Sequence, residues 1–272
     1  MAMMLTDSKT GIMYRKWDSV SPKAVFLMVH GLGAQSERWN FLADFLAKNG
    51  LASYAIELRG YGETKELRAH IDSFNVYYND LTALCEIIKT ELPGKKIFII
   101  GESMGGLIAY LATVKFPGFF SGLVCISPVF VNVMPFAWYT YVQFIVSLIF
   151  NQRATLKMPF NSAWITRDVE YQKRLDADTR ELRIASVKTL WEILMSQIAC
   201  GNAKDKLKTP VLFLLAEKDK LTSPMESKKV FDALTIKDKT VFTYPEMYHA
   251  LSIDIGKEKV FADILEWCKG RC

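Results

Sequence analysis

Residues 97–106 read IFIIGESMGG: an apolar run meets a serine with one glycine two positions before it and two glycines just beyond it. Gly101-Glu102-Ser103-Met104-Gly105 has the spacing G-x-S-x-G. It lies between a strand-like run and the helix-like MGGLIAYLATVK, the setting that this spacing needs. A strand-to-helix turn this tight forces its central residue into an unfavourable backbone conformation and leaves no room for neighbouring side chains, hence the glycines. The result is a hydroxyl that projects beyond the sheet, beside a helix N-terminus whose dipole favours developing negative charge. Ser103 is therefore the candidate nucleophile.

A serine hydroxyl is a poor nucleophile unless a base takes its proton. The chain offers three histidines. His30, in VHGLG, follows the first buried run, and its backbone is expected to matter more than its ring. His70, in ELRAHIDSF, lies in a polar connection and is expected to be structural. His249, in FTYPEMYHALS, comes just after the last strand-like run, at the carboxyl edge of a parallel sheet, where sites in such sheets assemble. It is the expected base. An imidazole in that role needs a carboxylate to fix its tautomer and stabilise the imidazolium. Asp219, in PVLFLLAEKDKLTSP, occupies the loop that would neighbour that of His249. Glu217 abuts the strand end, and Asp254 is expected at the surface. The chain order is then Ser103, Asp219, His249: nucleophile, acid, base. A tetrahedral oxyanion also needs donors. The N–H of Met104 is one, and the glycines of HGLG (30–33) let that loop turn so that the N–H of Leu32 is the other.

These groups can meet only on a suitable scaffold. Continuous apolar, β-branched runs occur at 24–29, 52–57, 96–101, 122–127, 210–216 and 240–244, the pattern of strands buried on both faces. Helical patterns separate them: RWNFLADFLAKNG stops at Gly50, FNVYYNDLTALCEIIKTELPG at Pro93-Gly94, MGGLIAYLATVKFPG at Pro117-Gly118, and KEKVFADILEWCKG closes the chain. Strands alternating with helices predict an α/β fold, a mostly parallel sheet with helices on both faces. One interval is far longer than a crossover needs. Residues 129–207 are expected to form an inserted helical cap, and 1–128 with 208–272 the core.

Half of the 272 residues are hydrophobic, so a large core can be buried, and the net charge of +5 is not gathered in one run. No arginine-rich helix or basic ladder interleaved with aromatics appears, which argues against a nucleic-acid partner. Residues 151–210 hold eleven Lys and Arg against seven Asp and Glu, so most of the positive excess belongs to the insertion. Five cysteines without a CxxC pair fit neither a disulfide framework nor a zinc site; they favour a reducing, cytoplasmic setting. No metal or other cofactor is expected. The N-terminus, MAMMLTDSKTGIMYRKWD, lacks the apolar stretch of a signal peptide. From Phe116 to Asn151 there is no charged residue, and VFVNVMPFAWYTYVQFIVSLIF is long enough to span a bilayer. Asn132, Gln143 and Pro135 oppose a span. The stretch is expected instead to face substrate or lipid, with Met134, Phe136, Trp138, Tyr139 and Phe144 as an acyl-chain wall or a peripheral membrane contact.

Taken together, HGLGAQSERWNFLADFLAKNG, ELRGYGETKE, FNVYYNDL, GESMGG, ISP, the KDKLTSP loop and YHALS resemble the monoacylglycerol lipase and lysophospholipase branch of the α/β-hydrolase family. The resemblance covers roughly 20–128 and 208–270 and hardly touches the insertion. It implies the α/β-hydrolase fold, Ser103, Asp219 and His249 as triad, and Leu32 and Met104 as oxyanion donors. It departs at Glu57, where the family usually has aspartate, and at Glu102, where it often has histidine. The implied chemistry is double displacement on a carboxylic ester, a monoacylglycerol or related lipid ester, through an acyl-serine. A short-chain, aryl or feruloyl-type esterase, a thioesterase or a peptidase on the same triad stays open at this point, as does a ligand-binding module that keeps the scaffold. Oligomeric state is not legible.

Overall fold

A computed structural model describes residues 2–272. The chain runs β1 (Met4–Thr6), β2 (Met13–Trp17), β3 (Ala24–Val29), a 3-10 turn (Ser36–Trp39), α1 (Asn40–Lys48), β4 (Leu51–Glu57), α2 (Phe74–Glu91), β5 (Lys96–Glu102), α3 (Met104–Lys115) and β6 (Gly122–Ile126). It continues through α4 (Trp138–Phe150), β7 (Thr155–Lys157), α5 (Ser162–Ile165), α6 (Val169–Ala177), β8 (Ile184–Ser186) and α7 (Val187–Gly201). Then come β9 (Val211–Ala216), α8 (Pro224–Ala233), β10 (Lys239–Tyr244) and α9 (Lys257–Lys269).

Eight strands form one sheet in the order β1-β2-β4-β3-β5-β6-β9-β10. From β4 to β10 every pairing is parallel, and all six expected runs are among these strands. The mostly parallel α/β sheet expected from the sequence is present. β1 and β2 lie outside the expected set; they add an antiparallel edge. Their runs are short and partly polar, so neither gives the continuous apolar signal of a doubly buried strand.

Why the central runs are apolar throughout follows from the two faces of the sheet. In β3, Val25, Leu27 and Val29 pack with Leu81 of α2, Leu107 of α3 and Phe231 of α8. The alternate residues Ala24, Phe26 and Met28 pack on the other face with Leu42 and Leu46 of α1 and with Val260, Ile264 and Trp267 of α9. Successive side chains point to opposite faces, so a strand covered on both sides turns neither set to water and is apolar at almost every position, buried Ser53 of β4 being an exception.

The interval between β6 and β9 is not helical alone: β7 and β8 pair as an antiparallel ribbon. It is stitched to the core at several places. The N–H of Leu182 donates to the carbonyl of Gly33 at 2.8 Å, that of Ser186 to Ala69 at 2.8 Å, and that of Ala250 to Ile165 at 2.9 Å. The ring of His70 joins this seam, with Nδ1 2.9 Å from Ser186 Oγ and Nε2 3.1 Å from Asp72. α7 packs Ile193 and Cys200 into the core cluster that holds α3. Among the described residues no helix is long and apolar enough to cross a membrane.

At the end of β5 the glycines are required by contact distances. A Cβ on Gly101 would stand 2.1 Å from the carbonyl oxygen of Gly105, and one on Gly105 would stand 2.1 Å from that of Val29. Both neighbours are backbone and cannot give way cheaply. Gly101→Ala should therefore lower folding stability by about 1–3 kcal/mol, the usual effect of overpacking. A chemical-denaturation midpoint equal to that of the parent would contradict so close an approach.

Candidate active site

Ser103 sits between β5 and α3 with φ 60° and ψ −120°, a positive-φ conformation that a side chain rarely adopts. Such a residue costs about 1–3 kcal/mol and persists only where its surroundings over-determine it. Here the Ser103 N–H donates to the carbonyl of Ile126 at 2.9 Å, and the Ser103 carbonyl accepts from Gly106 at 3.0 Å and from Val129 at 3.2 Å. The turn is thus held by the neighbouring strand, the helix it starts and the loop after β6.

His249 follows β10 and is almost fully buried. Its Nδ1 donates to Asp219 Oδ2 at 2.7 Å. That carboxylate is itself saturated: Oδ1 accepts the N–H groups of Leu221 and Thr222 at 2.8 and 2.9 Å, and Oδ2 also accepts the Thr222 hydroxyl at 2.7 Å. Glu217, by contrast, is exposed. Burial disfavours the His249 imidazolium, but the charge and hydrogen bond of Asp219, with Glu102 assisting, outweigh it and raise the pKa above the ordinary histidine value. Burial likewise opposes the Asp219 carboxylate, and His249 and the Thr222 donors overcome it, so its pKa lies below the ordinary value. Nδ1 carries the proton to Asp219, which leaves Nε2 as the face able to accept one.

Ser103 and His249 line one cavity of about 280 Å³, as do Leu32 and Met104. Among the described residues the N–H groups of Leu32 and Met104 form no hydrogen bond within the protein. For Met104 the reason is position, because the first residues of a helix have no intrahelical acceptor. The loop that carries Leu32 is pinned from below. Buried His30 is held neutral, its pKa lowered to about 4 chiefly by burial. Its Nε2 accepts the Leu58 N–H at 3.0 Å, so Nδ1 is the protonated nitrogen and donates to the Gly31 carbonyl at 2.9 Å. The ring of His30, and not its backbone alone, therefore shapes the loop. Glu57 accepts from the Ser36 N–H at 3.1 Å and its hydroxyl at 2.6 Å, and burial raises the Glu57 pKa to about 7.

Met134, Phe136 and Phe144 line the cavity wall, joined by Tyr141. Trp138 and Tyr139 do not; they are 77% and 58% exposed. The physical reason is the helix: Thr140, Tyr141 and Phe144 share one face of α4, and 138 and 139 fall on the other side. Asp254 also departs from expectation. It is fully buried, accepting from Thr166 Oγ1 at 3.0 Å, from the Arg167 N–H at 2.7 Å and Nε at 3.0 Å, and from the Tyr248 N–H at 2.8 Å. One polar feature of the wall has no sequence signal. Arg38 donates through Nε and Nη2 to Glu181 at 2.9 and 2.5 Å, a bidentate pair between residues 143 apart in the chain.

The model of a family described as "Serine aminopeptidase, S33" matches residues 20–256 of this chain. The chain belongs to that family. Human monoglyceride lipase is 27% identical over 256 residues, which cover 92% of this chain and 84% of that protein. The monoacylglycerol lipase of Mycolicibacterium smegmatis is 24% identical over 264 residues, covering 94% of this chain and 92% of its own. The solved monoacylglycerol lipase of Paleococcus ferrophilus matches with a TM-score of 0.87 at 24% identity, covering 96% of this chain and 99% of that one. The fold is therefore the α/β-hydrolase fold.

A base must be neutral to accept a proton, and the raised pKa keeps His249 protonated to a higher pH than an ordinary histidine. Activity on an ester should thus fall as pH drops through a value above about 6.5. Asp219→Asn should move that limb downward. His249→Ala should remove nearly all turnover, and retention of a tenth would show that another group is the base.

Proposed function

We propose that the chain is a serine hydrolase of carboxylic esters, acting on monoacylglycerols of medium or long acyl chain. The observation that carries the reading is the junction of a saturated Asp219–His249 pair and a strained Ser103 on one apolar cavity. In the proposed reaction His249 Nε2 takes the Ser103 proton as Oγ attacks the ester carbonyl, and the N–H groups of Leu32 and Met104 hold the oxyanion. His249 then protonates the departing glycerol oxygen. A water activated by the same base attacks the acyl-serine and releases the fatty acid and free Ser103.

The substrate class rests on two supports. The cavity wall is mainly aliphatic and aromatic, suited to an acyl chain, with Met134, Phe136, Phe144, Leu156, Leu190 and Ile193 among its lining residues. The relatives named above are called monoglyceride or monoacylglycerol lipases. We assign residues 129–207 the role of a cap over the core formed by 1–128 and 208–272.

The outer side of α4 supports peripheral contact with a lipid surface. Trp138, Val142, Ile145, Ile149 and Phe150 are exposed on a helix without a single charge. Apolar faces of this kind on a lone helix bury into an interface where substrate esters reside.

Two measurements test this reading. Across an acyl series, turnover of monoacylglycerols from octanoyl upward should exceed that of acetyl esters; activity that peaks at acetate and vanishes by octanoate would replace the lipid assignment with a short-chain esterase. The double variant Ile145→Glu, Ile149→Glu should lose cosedimentation with phosphatidylcholine vesicles, while hydrolysis of a water-soluble ester stays within about twofold of the parent. Unchanged cosedimentation would remove α4 as the contact.

A further inference from the structure

Glu102 is a buried carboxylate that the reaction above does not use. It ends β5, adjoins the nucleophile and lies on the wall of the same cavity. Removing a carboxylate from water without a partner is costly, and Glu102 has two. Oε1 accepts the Ser252 N–H at 3.1 Å and Oε2 accepts the Ser252 hydroxyl at 2.9 Å. Ser252 stands three residues beyond His249 in a compact loop, where the Leu251 N–H donates to the His249 carbonyl at 3.2 Å and the Ile253 N–H to that of Ala250 at 3.1 Å. One side chain, covalently next to Ser103, thus holds the loop that presents His249.

The geometry points to Glu102 as a positioning residue that fixes the His249 loop to the nucleophile turn and places negative charge beside the His249 imidazolium. This goes beyond the ester-hydrolase reading and rests on it. Two links are combined. The tether sets where Nε2 stands relative to Oγ, because β5 carries the Ser103 turn at one end of it and the His249 loop is gripped at the other. The charge acts through space. The charged groups around His249 are Asp219, Glu102 and Arg38, and Arg38 is committed to Glu181. Asp219 neutralises the imidazolium at Nδ1, and Glu102 supplies a second anionic group from the side of the nucleophile. Burial raises the Glu102 pKa, and His249 with the Ser252 donors works against that rise, so the two groups stabilise each other's charged forms. A histidine in the same place would oppose the imidazolium instead whenever it was charged.

Paired variants separate the two links. Glu102→Gln is close in shape and keeps both contacts with Ser252, its amide oxygen accepting the N–H and its amide nitrogen donating to the hydroxyl, but it removes the charge. Its acid limb in kcat/KM should fall by about one pH unit relative to the parent, because an anionic group that favours the imidazolium is gone. Glu102→Ala removes the tether, and Ser252→Ala half of it. The first should lower kcat tenfold or more with KM within about twofold, and the second should lower kcat less and leave the acid limb in place. Thermal melts establish that each variant is folded. An unmoved limb in folded Glu102→Gln, or a kcat within twofold of the parent in folded Glu102→Ala, would overturn the inference while hydrolysis by the parent stands. A parent enzyme that a fluorophosphonate leaves without an adduct on Ser103 would overturn the hydrolase reading and this inference with it.

Discussion

Where β5 turns into α3, three backbone segments meet with no space for a Cβ between them. Gly101 lies against the carbonyl of Gly105, Gly105 against the carbonyls of Val29 and His30, and a Cβ on Gly31 would stand 3.0 Å from that of Ser103. The rest of the structure depends on this contact. It brings the end of β3, the end of β5 and the start of α3 together, and so determines where the Ser103 hydroxyl and the Leu32 and Met104 N–H groups lie relative to one another. It also imposes the positive φ of Ser103. The strain is sustained because β3 and, beyond its first residue, β5 are buried on both faces and the turn's own N–H and carbonyl are both bonded.

Buried carboxylates do a second job around this contact. Asp219, Glu102 and Glu57 lie at or just beyond the carboxyl end of a parallel strand and Asp254 lies in the loop between β10 and α9, and each is spent on backbone N–H or hydroxyl donors of a loop. Loops are the least constrained parts of a fold, and a charged acceptor buried among them is costly unless its donors are in place. The penalty for leaving such a group unpaired therefore selects one arrangement of the loops. Asp254 and the Arg38–Glu181 pair extend the same logic to the segment between β6 and β9, tying it to the His249 loop and to the loop after β3.

What could be read in advance follows the range of each interaction. The inner parallel strands announce themselves because burial on both faces favours apolar residues at nearly every position, β10 by its short apolar and β-branched run although it is a partly exposed edge strand, and the helices because glycine and proline close them. β1 and β2 are weakly written: β1 is a three-residue edge strand, and β2 carries Arg15 and Lys16 among its apolar residues. β7 and β8 are three residues each and pair across the intervening α5 and α6, so no local pattern marks them. Trp138 and Tyr139 show the limit of composition: an aromatic-rich stretch predicts an apolar surface, but only the angular position on α4 separates residues that face the cavity from those that face outward. Asp254 shows the converse, a polar residue in a polar-looking loop that is fully buried because its donors come from residues 166 and 167.

The sequence by itself determined the six parallel strands, the strained turn and the chain order Ser103, Asp219, His249, because each rests on local requirements: apolar runs, glycines at fixed offsets, and loops that leave the same ends of parallel strands. The tertiary structure alone decided how the polar groups are paired. That Glu102 grips Ser252, that Asp219 has its oxygens filled by Thr222, Leu221 and His249, and that α4 turns Phe144 rather than Trp138 towards the cavity all depend on distances between segments far apart in the chain. Hydrogen bonds act over about 3 Å, and no spacing in a linear sequence records which distant groups come within that reach.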